Sequence, residues 1–266
     1  MQRFWAALIA VCMPLAATAG ETGLKALETA DETRGWEAVG RIDIADSSFC
    51  TGTLIAPTLV LTAAHCLYNQ RSGKAVDIAD ITFLAGWRNG RAAAYRGVKR
   101  AMAHPDYVYE GRERMDRVAF DLALLELDHP IRLPAISPFA IGTDPQRGEE
   151  VSIVSYAQDR SEAPSIEETC GVLGHQPGIL VLSCSVDFGA SGAPIFQISG
   201  GVPRIVSVVS AKAEMDGKGV ALAAVMSQPL TELKTAFAAN RVRFQQIKPA
   251  GLVTAGGSGG AKFVKP

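Results

Sequence analysis

The stretch Leu59-Val60-Leu61-Thr62-Ala63-Ala64-His65-Cys66 decides how the rest of the sequence is interpreted. Apolar and β-branched residues lead into two small residues, and a histidine follows beside a cysteine. This pattern predicts a buried strand that ends just before the histidine. An imidazole held at a strand end can act as a general base near neutral pH, provided that partners from elsewhere in the chain reach it.

Two later segments carry suitable partners. Asp121 precedes the apolar run Leu122-Ala123-Leu124-Leu125, and Ser191 lies within Asp187-Phe188-Gly189-Ala190-Ser191-Gly192. Histidine, aspartate and serine in this chain order form one of the known nucleophilic triads. Asp106 and Asp116 are alternative carboxylates, but neither stands in an apolar strand that would bury it beside the histidine.

These residue types suit acyl transfer. A serine hydroxyl is a weak nucleophile at neutral pH, so an imidazole has to accept its proton during attack on a carbonyl. A carboxylate on the other ring nitrogen fixes the tautomer and stabilises the imidazolium. The glycines around Ser191 permit a tight turn that aims two backbone N–H groups at one point, and we expect Gly189 and Ser191 to be these oxyanion donors.

With these motifs the chain resembles the chymotrypsin-like (trypsin-fold) serine peptidases, from about Trp36 to about Phe237. The His65, Asp121 and Ser191 segments all match in order, and the His-Pro pair of Ala103–Tyr107 lies between them as in many members. The resemblance implies an all-β fold: two six-stranded antiparallel β-barrels with the active site between them, and a C-terminal helix. It implies catalysis by His65, Asp121 and Ser191.

Two departures refine the placement. The animal digestive branch has an aspartate before the nucleophile, which pairs with a freshly cut N-terminus, whereas this chain has Ala190 there. No Ile-Val-Gly-Gly-like run begins the first barrel either. The sequence is therefore more similar to the bacterial secreted branch that includes the glutamyl endopeptidases.

Composition is consistent with one globular module. The chain has 266 residues, of which 48% are hydrophobic and 20% charged, with a net charge of −1. Phosphate-binding surfaces usually carry a basic excess, so we expect no nucleic acid partner. No Cys-x-x-Cys pair or paired histidines at ligand spacing occur in the sequence, so we expect no metal site and no cofactor. We expect a monomer that acts on protein or peptide substrates.

The N-terminus predicts export. Arg3 precedes an apolar stretch from Phe4 to Leu15, and Ala17-Thr18-Ala19 supplies small residues, so residues 1–19 are interpreted as a signal peptide. The apolar run is shorter than the roughly 20 residues of a membrane span, so we expect no stable membrane anchor. Residues 20–34 form either a propeptide or a solvated N-terminal arm. The expected location is secreted or periplasmic.

Removal of the signal peptide would take away Cys12 and leave four cysteines, an even number that favours disulfides in an exported protein. Four cysteines permit three pairings. The family resemblance selects Cys50 with Cys66 and leaves Cys170 with Cys184. Both bridges would brace segments that carry the expected catalytic residues.

Short β-type runs separated by turn residues fill most of the chain. The peptidase domain is expected over residues 35–240, with barrel one at about 35–130, barrel two at about 145–235 and a flexible tail at 241–266. Strands of the first barrel are expected at Trp36–Ile44, Thr51–Ile55, Thr58–Thr62, Ile81–Ala85 and Leu122–Leu127. Those of the second are expected at Val151–Ser155, Thr169–Leu173, Gly178–Ser183, Ala193–Ile198, Pro203–Ala211 and Val220–Met226, and a helix at Pro229–Ala239.

The family resemblance also implies a substrate pocket. Ser185, six residues before the nucleophile, would lie at its base, where trypsin-like cleavage after Lys or Arg relies on an acid. Ser210 and Ala211 match the edge strand that pairs with substrate. Glutamyl endopeptidases place a histidine before that serine, but this chain has Val209. A serine floor with apolar walls suits an apolar side chain, whereas Lys212 could attract an acidic one.

The sequence is also compatible with two other functions. The chain could be a non-catalytic peptidase homologue that serves as a binding module, or an esterase that uses the same triad. His104, His129 and His175 are interpreted as ordinary loop or strand-end residues without a catalytic role.

Overall fold

The computed structural model describes residues 23–45, 48–109, 115–239 and 262–263. The expected signal peptide and most of the expected tail lie outside these ranges. In the part of the chain that is described, no helix is long and apolar enough to cross a membrane.

Strands dominate the described residues. In the first half of the chain they are β1 (Leu24–Ala26), β2 (Val39–Ile44), β3 (Ser48–Ala56), β4 (Leu59–Thr62), β5 (Ile81–Ala85), β6 (Ala94–Ala103) and β7 (Ala123–Leu127). In the second half they are β8 (Ala140–Ile141), β9 (Glu150–Ala157), β10 (Arg160–Gln176), β11 (Ile179–Leu182), β12 (Pro194–Ser199), β13 (Val202–Met215), β14 (Lys218–Ala224) and β15 (Lys262–Phe263). The helices are α1 (Met115–Ala119) and α2 (Ser227–Ala239), with 3₁₀ turns at Ala64–Leu67 and Ile78–Asp80.

The first six-stranded unit is a closed barrel. Its strands follow the order β2-β3-β4-β7-β6-β5, and all pairings are antiparallel. Leu54, Val60, Phe83 and Leu124 are fully buried in its interior. Alternation of side chains along each strand sends one set inward, so the barrel forms a packed core.

The second unit is a ring of strands β9 to β14. The path runs β10-β11-β14-β13-β12-β9, and antiparallel pairing of β9 with β10 closes it. Three further strands attach to this ring: β1 to β10, and β8 and β15 to β13. The all-β fold expected from the sequence, two six-stranded units followed by a C-terminal helix, is confirmed.

Aromatic side chains join the two units. Trp36 lies with its ring centroid 5.8 Å from that of Phe139 and 5.1 Å from that of Phe196. Tyr156 of β9 is fully buried, and its hydroxyl donates to the Trp87 carbonyl at 2.8 Å. Aromatic packing of this kind buries large areas with defined geometry, and it fixes the seam between the barrels.

Both predicted disulfides are confirmed. Cys50 is bonded to Cys66 and Cys170 to Cys184, across 16 and 14 residues of sequence. On the chain-entropy model, a disulfide that closes a loop of this size stabilises the folded protein by roughly 3 kcal/mol.

Five elements were absent from the sequence prediction: the short strands β1, β8 and β15, the longer strand β6, and helix α1. Strand β6 completes the first barrel, and its buried positions include Ala94, Ala101 and Ala103. Alanine is depleted in strands, so this segment gives little local signal. Helix α1 is only five residues long. Helices that short arise mainly from tertiary packing.

Helix α2 begins two residues earlier than expected and packs on the first barrel through Leu230, Leu233 and Phe237. Arg100 of β6 holds its end: the guanidinium carbon lies 3.6 Å from the Phe237 ring centroid, and Nη1 donates to the Phe237 carbonyl at 2.8 Å. A cation at a helix C-terminus also interacts favourably with the helix dipole.

His104 lies between the first barrel and α2. It is 1% exposed, its ring stacks on Phe120, and its Nδ1 accepts the N–H of Asp106 at 3.1 Å. Nε2 therefore carries the proton and faces a Glu232 carboxylate oxygen 3.4 Å away. Burial lowers the pKa of His104, and the Asp106 and Glu232 carboxylates offset this effect only in part.

A lowered folded-state pKa makes stability depend on pH in one direction. The stability from a neutral buried His104 is fully present above the unfolded-state pKa of about 6.5 and is lost as the pH falls below it, because only the unfolded chain then takes up the proton. We expect His104→Gln to flatten the fall in the free energy of unfolding between about pH 7 and about pH 5, measured by urea denaturation. The exposed His129 gives the matched control, since His129→Gln should keep the wild-type slope. An equally steep loss in both variants would contradict this account.

Candidate active site

His65 stands at the end of β4, in the 3₁₀ turn Ala64–Leu67. The preceding Thr62 is fully buried, and its hydroxyl donates to the Thr51 carbonyl on β3 at 2.8 Å. The turn is therefore fixed to the barrel from which it emerges. The strand end that the sequence predicted is found at Thr62.

Asp121 lies next to this turn because β4 pairs with β7, with Thr62 opposite Ala123. The carboxylate is buried, and its Oδ1 accepts the backbone N–H of His65 at 2.8 Å while its Oδ2 lies 2.7 Å from His65 Nδ1. Ser210 of β13 donates its hydroxyl to the same Oδ2 at 2.5 Å. One carboxylate thus fixes both the backbone and the ring of His65, which leaves Nε2 as the nitrogen that can take up a proton.

The Ser191 loop belongs to the second unit but is tied to β3 of the first. Thr51 donates its backbone N–H to the Ser191 carbonyl and its hydroxyl to the Gly189 carbonyl, each at 2.8 Å. The same hydroxyl accepts the N–H of Tyr156 at 3.1 Å. Thr51 is fully buried, so these bonds form without competition from water.

Close approach at Gly192 shows how tightly the loop meets the His65 strand. A Cβ at this residue would lie 2.1 Å from Thr62 Oγ1 and 2.4 Å from the Thr51 carbonyl oxygen, and φ is +76°. Cys66 Sγ lies 4.0 Å from the Ser191 carbonyl oxygen. The fold therefore places Ser191 beside the turn that carries His65.

Among the described residues, no hydrogen bond joins the Ser191 hydroxyl to the His65 ring. Nucleophile and base are commonly farther apart in unliganded active sites and draw together when substrate binds.

The N–H groups of the loop divide into two sets. Those of Phe188, Ala190, Gly192 and Ala193 donate to acceptors within the protein, among them the Asp187 and Val209 carbonyls. Those of Gly189 and Ser191 have no acceptor within the described part of the chain. These are the two donors that the sequence assigned to an oxyanion site.

Gly189 is required at its position. Its φ of +95° lies in the left-handed region, and a Cβ would lie 2.3 Å from Phe49 Cε2. Any larger residue would have to displace the Phe49 ring, which flanks the loop on the side of the first barrel.

A cavity of about 290 Å³ lies beside the loop. Ser185, which the family resemblance assigned to a substrate pocket, lines this cavity, and the Glu167 carboxylate accepts the Ser185 N–H at 2.7 Å. Burial raises the pKa of Glu167. The remaining lining residues are Leu24, Asp159, Arg160, Cys184, Val186, Asp187, Lys212, Gly219 and Val220. Four of them are charged, so the walls differ from the apolar ones expected.

Charges around the cavity are paired. Lys212 Nζ lies 3.7 Å from Asp187 Oδ1, and Arg160 Nε lies 3.7 Å from Asp159 Oδ1. Arg160 also donates to the carbonyl and hydroxyl of Ser155. The sequence placed Lys212 near the pocket but gave no indication of Arg160, which lines the cavity, or of Glu167, which accepts the N–H of Ser185.

Within the described ranges, two groups of side chains have the atoms to bind a metal ion. In the first, Cys50 and Cys66 are joined in a disulfide and cannot act as thiolates beside His65. In the second, His104, Asp106 and Glu232 converge, but His104 Nδ1 accepts an N–H, so the neutral ring keeps its proton on the nitrogen that a cation would need. Neither group fits a metal ion in this form.

Comparison with known proteins supports the same fold. The Trypsin family model matches residues 28–176, more than half of the chain. A glutamyl endopeptidase of Bacillus licheniformis is 26% identical over 151 residues, covering 56% of this chain and 46% of that protein. Serine protease 23 of Mus musculus is 27% identical over 169 residues, covering 56% of this chain and 43% of its own length. The matched part therefore spans less than half the length of these relatives.

A solved structure of a Glu endopeptidase in complex with MPD superposes with a TM-score of 0.65 at 20% identity, covering 82% of this chain and 98% of that one. At that identity the likeness concerns the fold. Together with the family match and the 26% identity to the Bacillus licheniformis enzyme, it confirms the resemblance to chymotrypsin-like serine peptidases close to the glutamyl endopeptidases. Sequence match and architecture agree, and we conclude that the chain belongs to the trypsin family of chymotrypsin-like serine peptidases.

Proposed function

We propose that this protein is an exported serine endopeptidase that works through an acyl-enzyme. The proposal rests on one observation: the buried Asp121 carboxylate binds both the backbone N–H and Nδ1 of His65, beside the Ser191 loop. An imidazole held in this tautomer presents Nε2 as a base. The loop next to it has two N–H groups, at Gly189 and Ser191, that find no acceptor among the residues the structure describes.

In the proposed first half-reaction, the Ser191 hydroxyl oxygen attacks the substrate carbonyl carbon while its proton passes to His65 Nε2. The carbonyl oxygen becomes an oxyanion that accepts the N–H groups of Gly189 and Ser191. Asp121 stabilises the imidazolium without itself taking a proton. His65 then donates the proton to the leaving amine, the C–N bond breaks, and an ester to Ser191 remains.

The second half-reaction regenerates the enzyme. Water attacks the ester carbonyl and loses its proton to His65, the same two N–H groups hold the new oxyanion, and the proton returns to the Ser191 oxygen as the acid leaves. We assign Ser185, Ser210 and Ala211 to substrate binding, the first in the cavity and the other two on the β13 edge. Export is supported by the two disulfides, which persist in oxidising compartments.

We expect Ser191→Ala to lower kcat by about 10⁶-fold with the fold intact, because the nucleophile is lost and the rest of the site remains. Hydrolysis of a fluorescent casein and labelling by a fluorophosphonate measure this, with the labelled residue identified by mass spectrometry. Ser199→Ala, at the exposed end of β12, should behave as wild type. A folded wild-type protein that neither hydrolyses nor becomes labelled would instead be a binding module. Hydrolysis of esters but not of peptides would make it an esterase.

The role of Asp121 can be separated from that of a nearby carboxylate. Asp121→Asn should lower kcat by about 10⁴-fold, because the amide favours the wrong imidazole tautomer. Asp106→Asn is the control: it also replaces a carboxylate by an amide of the same size, but Asp106 contacts the ring of His104 and not that of His65. Its kcat should therefore stay near the wild-type value. Steady-state kinetics on both proteins test this. Equal losses would reject Asp121 as the orienting group.

The cavity beside Ser185 is assigned to the side chain that precedes the scissile bond. Ser185→Asp adds a carboxylate to it, so a peptide-library cleavage profile should move toward Lys and Arg relative to the wild type. Ser199→Asp, far along the β12–β13 hairpin, should leave the profile unchanged. An identical profile for all three proteins would remove this cavity from substrate recognition.

A further inference from the structure

Strand β13 has one edge with an open stretch. From Val209 onward β14 pairs with one side of β13. On the other side, β13 pairs with β12 and with the two residues just before β12, and this pairing ends at Val209. Pairing with β15 begins at Ala213. Within the described residues, positions 210–212 have no strand partner on that side.

This open stretch borders the proposed catalytic site. Ser210 donates its hydroxyl to Asp121, and Lys212 lines the cavity beside Ser185. The N–H of Gly192, one residue after the proposed nucleophile, donates to the Val209 carbonyl at 2.8 Å. An extended peptide that paired with positions 210–212 would therefore run directly to Ser191.

The register of β15 leads into the same stretch. It pairs antiparallel with β13, with Lys262 opposite Glu214 and Phe263 opposite Ala213. Because the pairing is antiparallel, each residue further toward the C-terminus of the tail lies opposite the residue one earlier in β13. A strand that kept this register would reach Ser210 three residues after Phe263. The chain direction is that of a peptide whose carbonyl end approaches Ser191.

We propose that the tail segment containing Lys262–Phe263 is a built-in competitor for this edge and lowers the apparent affinity for extended peptide substrates. Its inhibitory effect rests on the proposed peptidase function, whereas its docking does not. A strand this short pairs weakly, but a tethered segment competes at an effective concentration of the order of millimolar. The result is partial occupancy of the edge and not a permanent block.

Two proline variants of the full chain test the proposal. Phe263→Pro places proline, which β-strands disfavour, within the paired segment, whereas Ala255→Pro places it in the Gly/Ser tract of the tail. For Phe263→Pro we expect the apparent KM for an extended peptide to fall by about two- to tenfold with kcat unchanged. Ala255→Pro should match the wild type. An unchanged KM in Phe263→Pro would overturn the proposal.

A second measurement does not depend on turnover. In the Ser191→Ala background, a fluorescein-labelled peptide of residues 258–266 should bind the Phe263→Pro protein more tightly than the protein with its own tail intact. Hydrogen exchange in the segment 210–215 should be faster in the Phe263→Pro protein. Equal peptide affinity, or no binding to either protein, would reject docking at this edge. An effect on KM that grew with protein concentration would show that a second copy occupies the edge, which also rejects the proposal.

These readouts separate the two ideas. If neither protein hydrolyses peptides or reacts with a fluorophosphonate, the proposed function fails, and the peptide affinity still decides whether the tail docks. If both proteins hydrolyse with the same KM, the function stands and the competitor is rejected.

Discussion

The site depends on one buried threonine more than on any other side chain outside the proposed triad. Thr51 contributes all of its polar groups: the N–H and hydroxyl donate to the Ser191 and Gly189 carbonyls, the hydroxyl also accepts from Tyr156, and the carbonyl accepts from Thr62. These bonds join a strand of the first barrel, the nucleophile loop and a strand of the second ring. A fully satisfied buried network of this kind is rigid, because loss of one partner leaves another polar group unpaired.

This network also accounts for the alanine that precedes the proposed nucleophile. Ala190 is fully buried and offers no charge to anchor the loop. The first barrel maintains the shape of the loop instead. Thr51 donates hydrogen bonds to two of the loop's carbonyls, and the absence of a side chain at Gly192 lets the loop approach the barrel closely. Thr51 binds the carbonyls of Gly189 and Ser191, and within the described residues the N–H groups of these two residues have no acceptor. An anchored loop of this type needs no charge from elsewhere to take its form.

Sequence alone predicted the parts of the molecule that carry local signals. His65, Asp121 and Ser191 stand in short motifs, and the strand entering His65 has a clear apolar pattern, so both could be identified in advance. Strand β6 could not, since its interior positions are largely alanine and its place in the barrel comes from pairing with β5 and β7. Nothing in the sequence around Glu167 indicates that it is buried, yet its place on β10 brings its carboxylate to the backbone N–H of Ser185. Such contacts arise between residues far apart in the chain and leave no local trace.

The N-terminal arm has a consequence for any maturation cut. Strand β1 pairs with β10, Leu27 is buried with its N–H on the Pro164 carbonyl, and Leu24 forms part of the cavity wall. Proteolysis after residue 34 would remove the strand that pairs with β10, expose the site where Leu27 is buried and take Leu24 out of the cavity wall. A cut ahead of Gly23 would spare all of these contacts. The arm therefore behaves as part of the folded body, and trimming it would change the residues that line the cavity.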